Sequence, residues 1–156
     1  MPDELYERDI LTWSERQAEL LRRVAGTERY GDVDWSHVIE EIAAVGTAQL
    51  NDVRGIVRQA MICLLRIHFD RENVARPDWM AELACLLDDA AEQFTPSMPR
   101  RIDLDAMWSR VRTRTVRRFA DDPRGHALPD RCPWTFDALL ANDHDALLAA
   151  LAGWPI

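Results

Sequence analysis

DWSHVIEEIAAVGTAQLNDVRGIVRQAMICLLRIHFD, residues 34–70, decides the fold. From Trp35 an apolar stripe runs through Val38, Ile39, Ile42, Val45, Val53, Ile56, Val57, Ala60, Met61 and Leu64. The steps of three and four are those of one helix face. The stripe keeps its phase across Gly46 and Gly55, each of which costs about 1 kcal/mol relative to alanine. The spacing therefore predicts one long helix to about Asp70, with a bend allowed at a glycine. Asp34 is placed to cap it, because a side-chain oxygen there satisfies a free N–H of the first turn. The second half, IVRQAMICLLRI, is apolar around most of its circumference, which assigns it to the centre of a bundle.

Working outward, the same period recurs. Tyr6, Ile10, Trp13, Leu20, Leu21 and Val24 define the expected core face of a first helix, with Gln17 on it as a hydrogen-bonded amide. Pro77 suits the first turn of a third helix. Its core face is Trp79, Met80, Leu83, Leu86, Leu87, Ala90 and Phe94, beside an acidic stripe of Asp78, Glu82, Asp89 and Glu92. A fourth helix carries Leu104, Trp108, Val111, Thr115 and Phe119. In CPWTFDALL, residues 132–140, Thr135 is the N-cap, and Trp134 with Leu139 forms a hydrophobic staple. Asp143 caps a last short helix that stops at Gly153. No strand alternation occurs. The expected fold is a single all-α domain over 1–156: an irregular bundle of four main helices, one of them long and central, with a C-terminal helical cap.

The 156 residues hold 19 basic residues, all arginine, against 27 acidic ones, a net charge of −8. That balance disfavours nucleic acid and anionic membrane as default partners. The longest apolar runs, such as Ala146 to Trp154, fall well short of the roughly 18 residues that span a bilayer. MPDELYERDILTW lacks the basic start and apolar core of a signal peptide. The three cysteines have no framework spacing. Cys63 and Cys85 are expected as buried thiols and Cys132 as a packed one, so the expected location is cytoplasmic.

The ordered set Asp9, Trp13, Gln17, Leu20, Leu21, Arg22; then DWSHVIEEIAAVG with Asp34, Trp35, Glu40, Glu41, Ile42, Gly46; then Leu64, Leu65, Arg66; Trp79; and CPWTFDALL resembles the bacterial family called Domain of Unknown Function 29. The resemblance covers nearly the whole chain. It implies a small all-helical protein and no particular activity. Where relatives typically read HLLKW this chain has CLLRI, Cys63 to Ile67, so a histidine ligand or aromatic contact there does not carry over.

Two constellations carry chemistry. His37 and Glu41 share a face near the start of the long helix, with Glu40 adjacent. A histidine and two carboxylates are divalent-metal chemistry, but di-metal bundles use Glu-x-x-His on paired helices, and here the order is His-x-x-Glu, present once. Acids in early turns also suit the helix dipole. Asp34, Trp35, His37, Glu40 and Glu41 thus form the candidate functional patch, with no metal or cofactor assigned. Glu40 and Glu41 are expected to tie to Arg22, Arg23 or Arg66. The second constellation is Arg100 to Arg118, seven arginines and two aspartates. The preceding segment, Pro77 to Phe94, has five acids and no base. The two helices are expected to pair antiparallel, with Arg110, Arg114 or Arg117 facing Asp78, Glu82 or Asp89. His68 is expected to serve the dipole at its helix's C-terminus. The leading expectation is a non-enzymatic helical interaction module with a protein partner or self-association. The alternative is a small metal-dependent hydrolase or nuclease using Glu40, Glu41 and His37. Third is nucleic-acid binding through the arginine-rich helix 100–118.

Overall fold

The structure, a computed structural model, describes residues 2–27 and 31–152. Among them every regular element is helical. The α-helices are α1 (Pro2–Arg8), α2 (Ile10–Ala25), α3 (Trp35–Phe69), α4 (Arg76–Gln93), α5 (Leu104–Arg118), α6 (Phe136–Leu140) and α7 (His144–Ala152). Short 3-10 turns lie at Met98–Arg100 and Pro123–Gly125. The long helix is unbroken, and its cap is as expected: Asp34 Oδ1 accepts from the backbone N–H of His37 at 3.4 Å. The expected stop at Gly153 lies outside the described residues.

The chain divides into two compact units, Met1–Val53 with Gln93–Arg101, and Arg54–Glu92 with Ile102–Ile156. In the first, the expected single opening helix is broken at Asp9. Its carboxylate caps α2 by accepting from Thr12 N at 3.0 Å. It also accepts from the backbone N–H and hydroxyl of Ser97, at 2.9 and 2.8 Å. Burial alone would raise the Asp9 pKa, but the bonds from Thr12, Ser97 and Thr95 together hold it below the usual aspartate value. Gln49 donates to Gln93 O at 2.7 Å and anchors the same returning segment.

Helices α2 and α3 touch where their side chains are smallest. A Cβ added at Gly46 would overlap Ser14 Oγ and lie 2.6 Å from Leu11 Cα. Ser14 is eleven residues before the end of α2, and Gly46 eleven after the start of α3. The chain thus climbs about 16 Å and returns about 16 Å to the same level, an antiparallel hairpin. The buried face of α2 is accordingly Leu11, Ser14 and Ala18. The expected face was offset by one residue: Tyr6, Leu20 and Val24 are exposed, and Ile10, Trp13 and Gln17 are only partly covered. Close approach selects small residues for the contact and leaves the large ones beside it.

In the second unit, the far half of α3 buries Val57, Ala60, Met61, Leu64, Leu65 and Ile67. Leu83, Leu87 and Ala90 of α4 are buried, as are Met107, Trp108 and Val111 of α5. Cys63 Sγ donates to Trp79 O. Trp108 is fully buried, its indole N–H donating to Pro129 O at 2.9 Å. Trp134 stacks edge-on against it at 5.3 Å and donates to Leu147 O at 2.9 Å. Thr135 caps α6 through Ala138 N, and Asp143 caps α7 through Ala146 N. Asn142, between these helices at φ 54°, holds Ala84 O and Asp88 of α4.

The C-terminal carbonyls of α3 are met by arginine instead of by His68. Arg124 donates to His68 O and Phe69 O at 3.1 and 2.7 Å, and Arg71 also reaches His68 O. The His68 ring is buried, and burial followed by the charges of Arg71 and Arg124 pushes its pKa down. A neutral ring cannot complement the dipole, so the expected role passes to the two arginines.

Candidate functional site

The expected patch begins at the capped start of α3. His37 Nδ1 lies 2.5 Å from Asp34 Oδ2, and Ser36 Oγ donates to Asp34 Oδ1 at 2.9 Å. The His37 contact, then the Ser36 hydroxyl and the His37 amide, hold the Asp34 carboxyl below its ordinary range. All three residues are exposed, and Trp35 is half-buried. Glu40 and Glu41 are exposed and project about 100° apart. Among the described residues no group of three or more His, Cys, Asp or Glu side chains converges as a metal-holding cluster. His37 is engaged with Asp34 and not gathered with both glutamates.

The expected arginine ties to Glu40 and Glu41 are not made among the described residues. Arg22 and Arg23 each pair with Glu19 at 3.5 Å, one turn away on their own helix. A partner three or four residues off needs less ordering than one on another helix. Arg66 pairs with Glu82 at 3.8 Å and lies over the Trp79 ring.

The hairpin carries the more informative surface. On each helix, the residue preceding a contact position points to one side of an antiparallel pair. Leu20 and Val24 of α2 and Val38 and Val45 of α3 all occupy that side and remain 39–45% exposed. Trp13 belongs to it, with Tyr6 packed edge-on at 4.8 Å. Thr12, Glu19, Arg23, Ser36, Glu40 and Thr47 fill the other side. The hairpin is thus amphipathic as a pair, with an apolar side that contains Trp13 and Leu20.

The arginine helix is also unlike its expectation. Arg110, Arg114 and Arg117 are exposed, and no described acid lies within ion-pair distance of them. The expected pairing with Asp78, Glu82 and Asp89 is absent. Arg112 folds back, reaching Asp130 at 3.1 Å and Leu128 O at 3.3 Å, while Arg101 pairs with Glu15 and Arg118 lies over the Phe119 ring. At the helix start, Asp105 binds Arg131 and accepts from Cys132 N, and the Arg131 bonds chiefly hold its carboxyl low. A cavity of about 510 Å³ opens at the far end, lined by Arg118, Phe119, Ala120, Asp121, Asp122 and Pro123. Its Asp122 is tied up by Arg124 at 2.6 Å.

The thiols separate cleanly. Burial pushes Cys63 and Cys132 up to about 11, which suits packed groups and not nucleophiles. Cys85 is exposed, contrary to expectation, because it falls within the acidic stripe of α4 and not on its core face.

A wholly helical described chain, with a short helical hairpin bearing an apolar side, defines a small all-α protein. The chain belongs to the family Domain of unknown function DUF29, whose sequence model matches residues 5–145. It is similar to a solved alpha-helical protein of unknown function from Rhodospirillum rubrum, with 27% identity, a TM-score of 0.81, and coverage of 92% of this chain and 95% of that one. No curated protein matches. No helix among the described residues is long and apolar enough to cross a membrane.

Proposed function

We propose that this protein is a non-enzymatic helical interaction module, engaging a protein partner or a second copy of itself through the apolar side of the α2–α3 hairpin. One observation carries this: Leu20, Val24, Val38 and Val45 lie on one side of the pair and keep 39–45% of their surface in water. Covering such a surface is favourable at about 25 cal/mol per Å². Aromatic anchors are what interface hot spots are made of, and Trp13 stands in the same row. The metal-dependent alternative has less support, since His37, Glu40 and Glu41 do not converge.

The test is the double substitution Leu20→Glu and Val45→Glu. Both positions are exposed, so the helical circular dichroism should be unchanged. Sedimentation should show self-association of the parent, or affinity capture with purified candidate partners should show a complex; the variant should lose either. A parent that is monomeric and whose complexes survive the double substitution would refute the proposal.

A further inference from the structure

Two rows of opposite charge are exposed on the second unit. Arg110, Arg114 and Arg117 are spaced by four and three, so they fall within about 60° of one another on α5. They are exposed along the border of the buried face of α5, which is Met107, Trp108 and Val111. On α4, Asp78, Glu82, Asp89 and Glu92 form an equivalent row, away from the buried Leu83, Leu87 and Ala90. All of these charged side chains are exposed. Within the chain, the described contacts of the acidic row include only one ion pair, Glu82 to Arg66 at 3.8 Å. The middle of the acidic row matches the arginine row in length. Arg110 to Arg117 and Glu82 to Asp89 each span seven residues, about 10 Å.

We propose that the arginine row of α5 docks on the acidic row of α4 in a second copy of this chain, giving a salt-sensitive, head-to-tail association. Charge complementarity selects this occupant. Every copy that displays the arginines also displays an acidic row, in which Glu82 and Asp89 are as far apart as Arg110 and Arg117. A nucleic-acid strand would instead have to approach a chain of net charge −8. Contacts between copies are heterologous, so the assembly is a ring if the geometry closes and an open chain if it does not. The inference does not rest on the apolar side of the hairpin and survives if that surface has no partner.

Cys85 provides a built-in probe, because it sits in the acidic row between Glu82 and Asp89 and is exposed. Cys63 and Cys132, with thiols pushed up to about 11, react slowly by comparison. The experiment measures sedimentation and the rate of Cys85 modification by a neutral maleimide at high chain concentration. It compares about 0.1 M salt, where charges act over about 10 Å, with 1 M, where they act over about 3 Å. The expected result is a mass above that of one chain and a slowed Cys85 at the lower salt only. Arg114→Glu with Arg117→Glu should abolish both effects. So should Asp89→Arg with Glu92→Arg, and an equimolar mixture of the two variants should restore them. A parent that stays monomeric at both salts overturns the proposal. So does association that survives either reversal. Duplex DNA binding at physiological salt, lost on reversing the arginines and tighter than the self-association, overturns the choice of occupant.

Discussion

Gly46 and Gly55 lie nine positions apart on one helix, yet replacing each with alanine should have opposite effects. Alanine at either site gains about 1 kcal/mol of helix propensity. At Gly55 nothing lies within 4 Å of the added methyl, so the gain is kept. At Gly46 the methyl would lie 2.6 Å from Leu11 Cα and 3.2 Å from Ile10 O, and would overlap Ser14 Oγ. Ordinary carbon contacts are about 3.5–4.0 Å, so α2 must retreat by about 1 Å. Ser14 cannot simply rotate away, since it is buried and its hydroxyl donates to Leu11 O at 3.0 Å. Overpacking of this kind costs about 1–3 kcal/mol, and the backbone contact puts Gly46 toward the upper end. The net for Gly46→Ala is a loss of about 1–2 kcal/mol. For a chain of this size that is a fall of about 2–8 °C in Tm, against a rise of about 2–4 °C for Gly55→Ala. Urea titrations and thermal melts followed by circular dichroism read both. A Gly46→Ala protein as stable as Gly55→Ala would show that the hairpin contact is looser than described.

Asp9→Asn should destabilise by about 1.5–3 kcal/mol at neutral pH, because a buried carboxylate loses charge-assisted bonds from Thr12 and Ser97. The folded carboxyl titrates below its unfolded value near 3.9. Its contribution is therefore complete above that value and fades as pH falls through the folded one. Melts from pH 7 to 2 should converge with the parent in acid, and a constant gap would remove the carboxylate from the explanation. Trp134→Ala should cost about 3–5 kcal/mol, since the ring is buried against Trp108 and its N–H is bonded to Leu147 O. Trp134→Phe should recover most of the packing and retain a loss of about 1 kcal/mol, measured in the same melts.

The parts of the fold that depend on local chemistry were legible. The 35 residues of α3 repeat one period often enough to leave no competing assignment. Asp34, Thr135 and Asp143 cap as their positions require, because a cap is a matter of a few adjacent residues. The all-α class follows from the same periodicity. What was hidden depends on residues remote in sequence. The period of large residues runs straight through Asp9, yet the helix breaks there, in the company of Ser97. The contact face of α2 is made of Ser14 and Ala18, which a search for large apolar residues passes over. The signal was Gly46, which reads equally well as a bend or a close contact. The charge alternation between α4 and α5 was visible, but its bookkeeping was not: Glu82 goes to Arg66, Arg112 to Asp130, and Arg124 to the end of α3. At the candidate site, periodicity showed that Glu40 and Glu41 flank the stripe. It could not show that Arg22 and Arg23 are already held by Glu19.

The carboxylate of Asp9 carries an implication for the chain as it is made. Its nearer partner, Thr12 N, is three residues away, whereas Ser97 is 88 away. At a synthesis rate of about 5–20 residues per second, Ser97 follows roughly 4–18 s behind. Helices form in microseconds or less, so α2 and the first half of α3 have long been able to coil before their returning segment exists. Throughout that interval Asp9 must be kept ionised by water in place of Ser97. A nascent chain halted before residue 97 should hold its first helices without the polar lock that closes them.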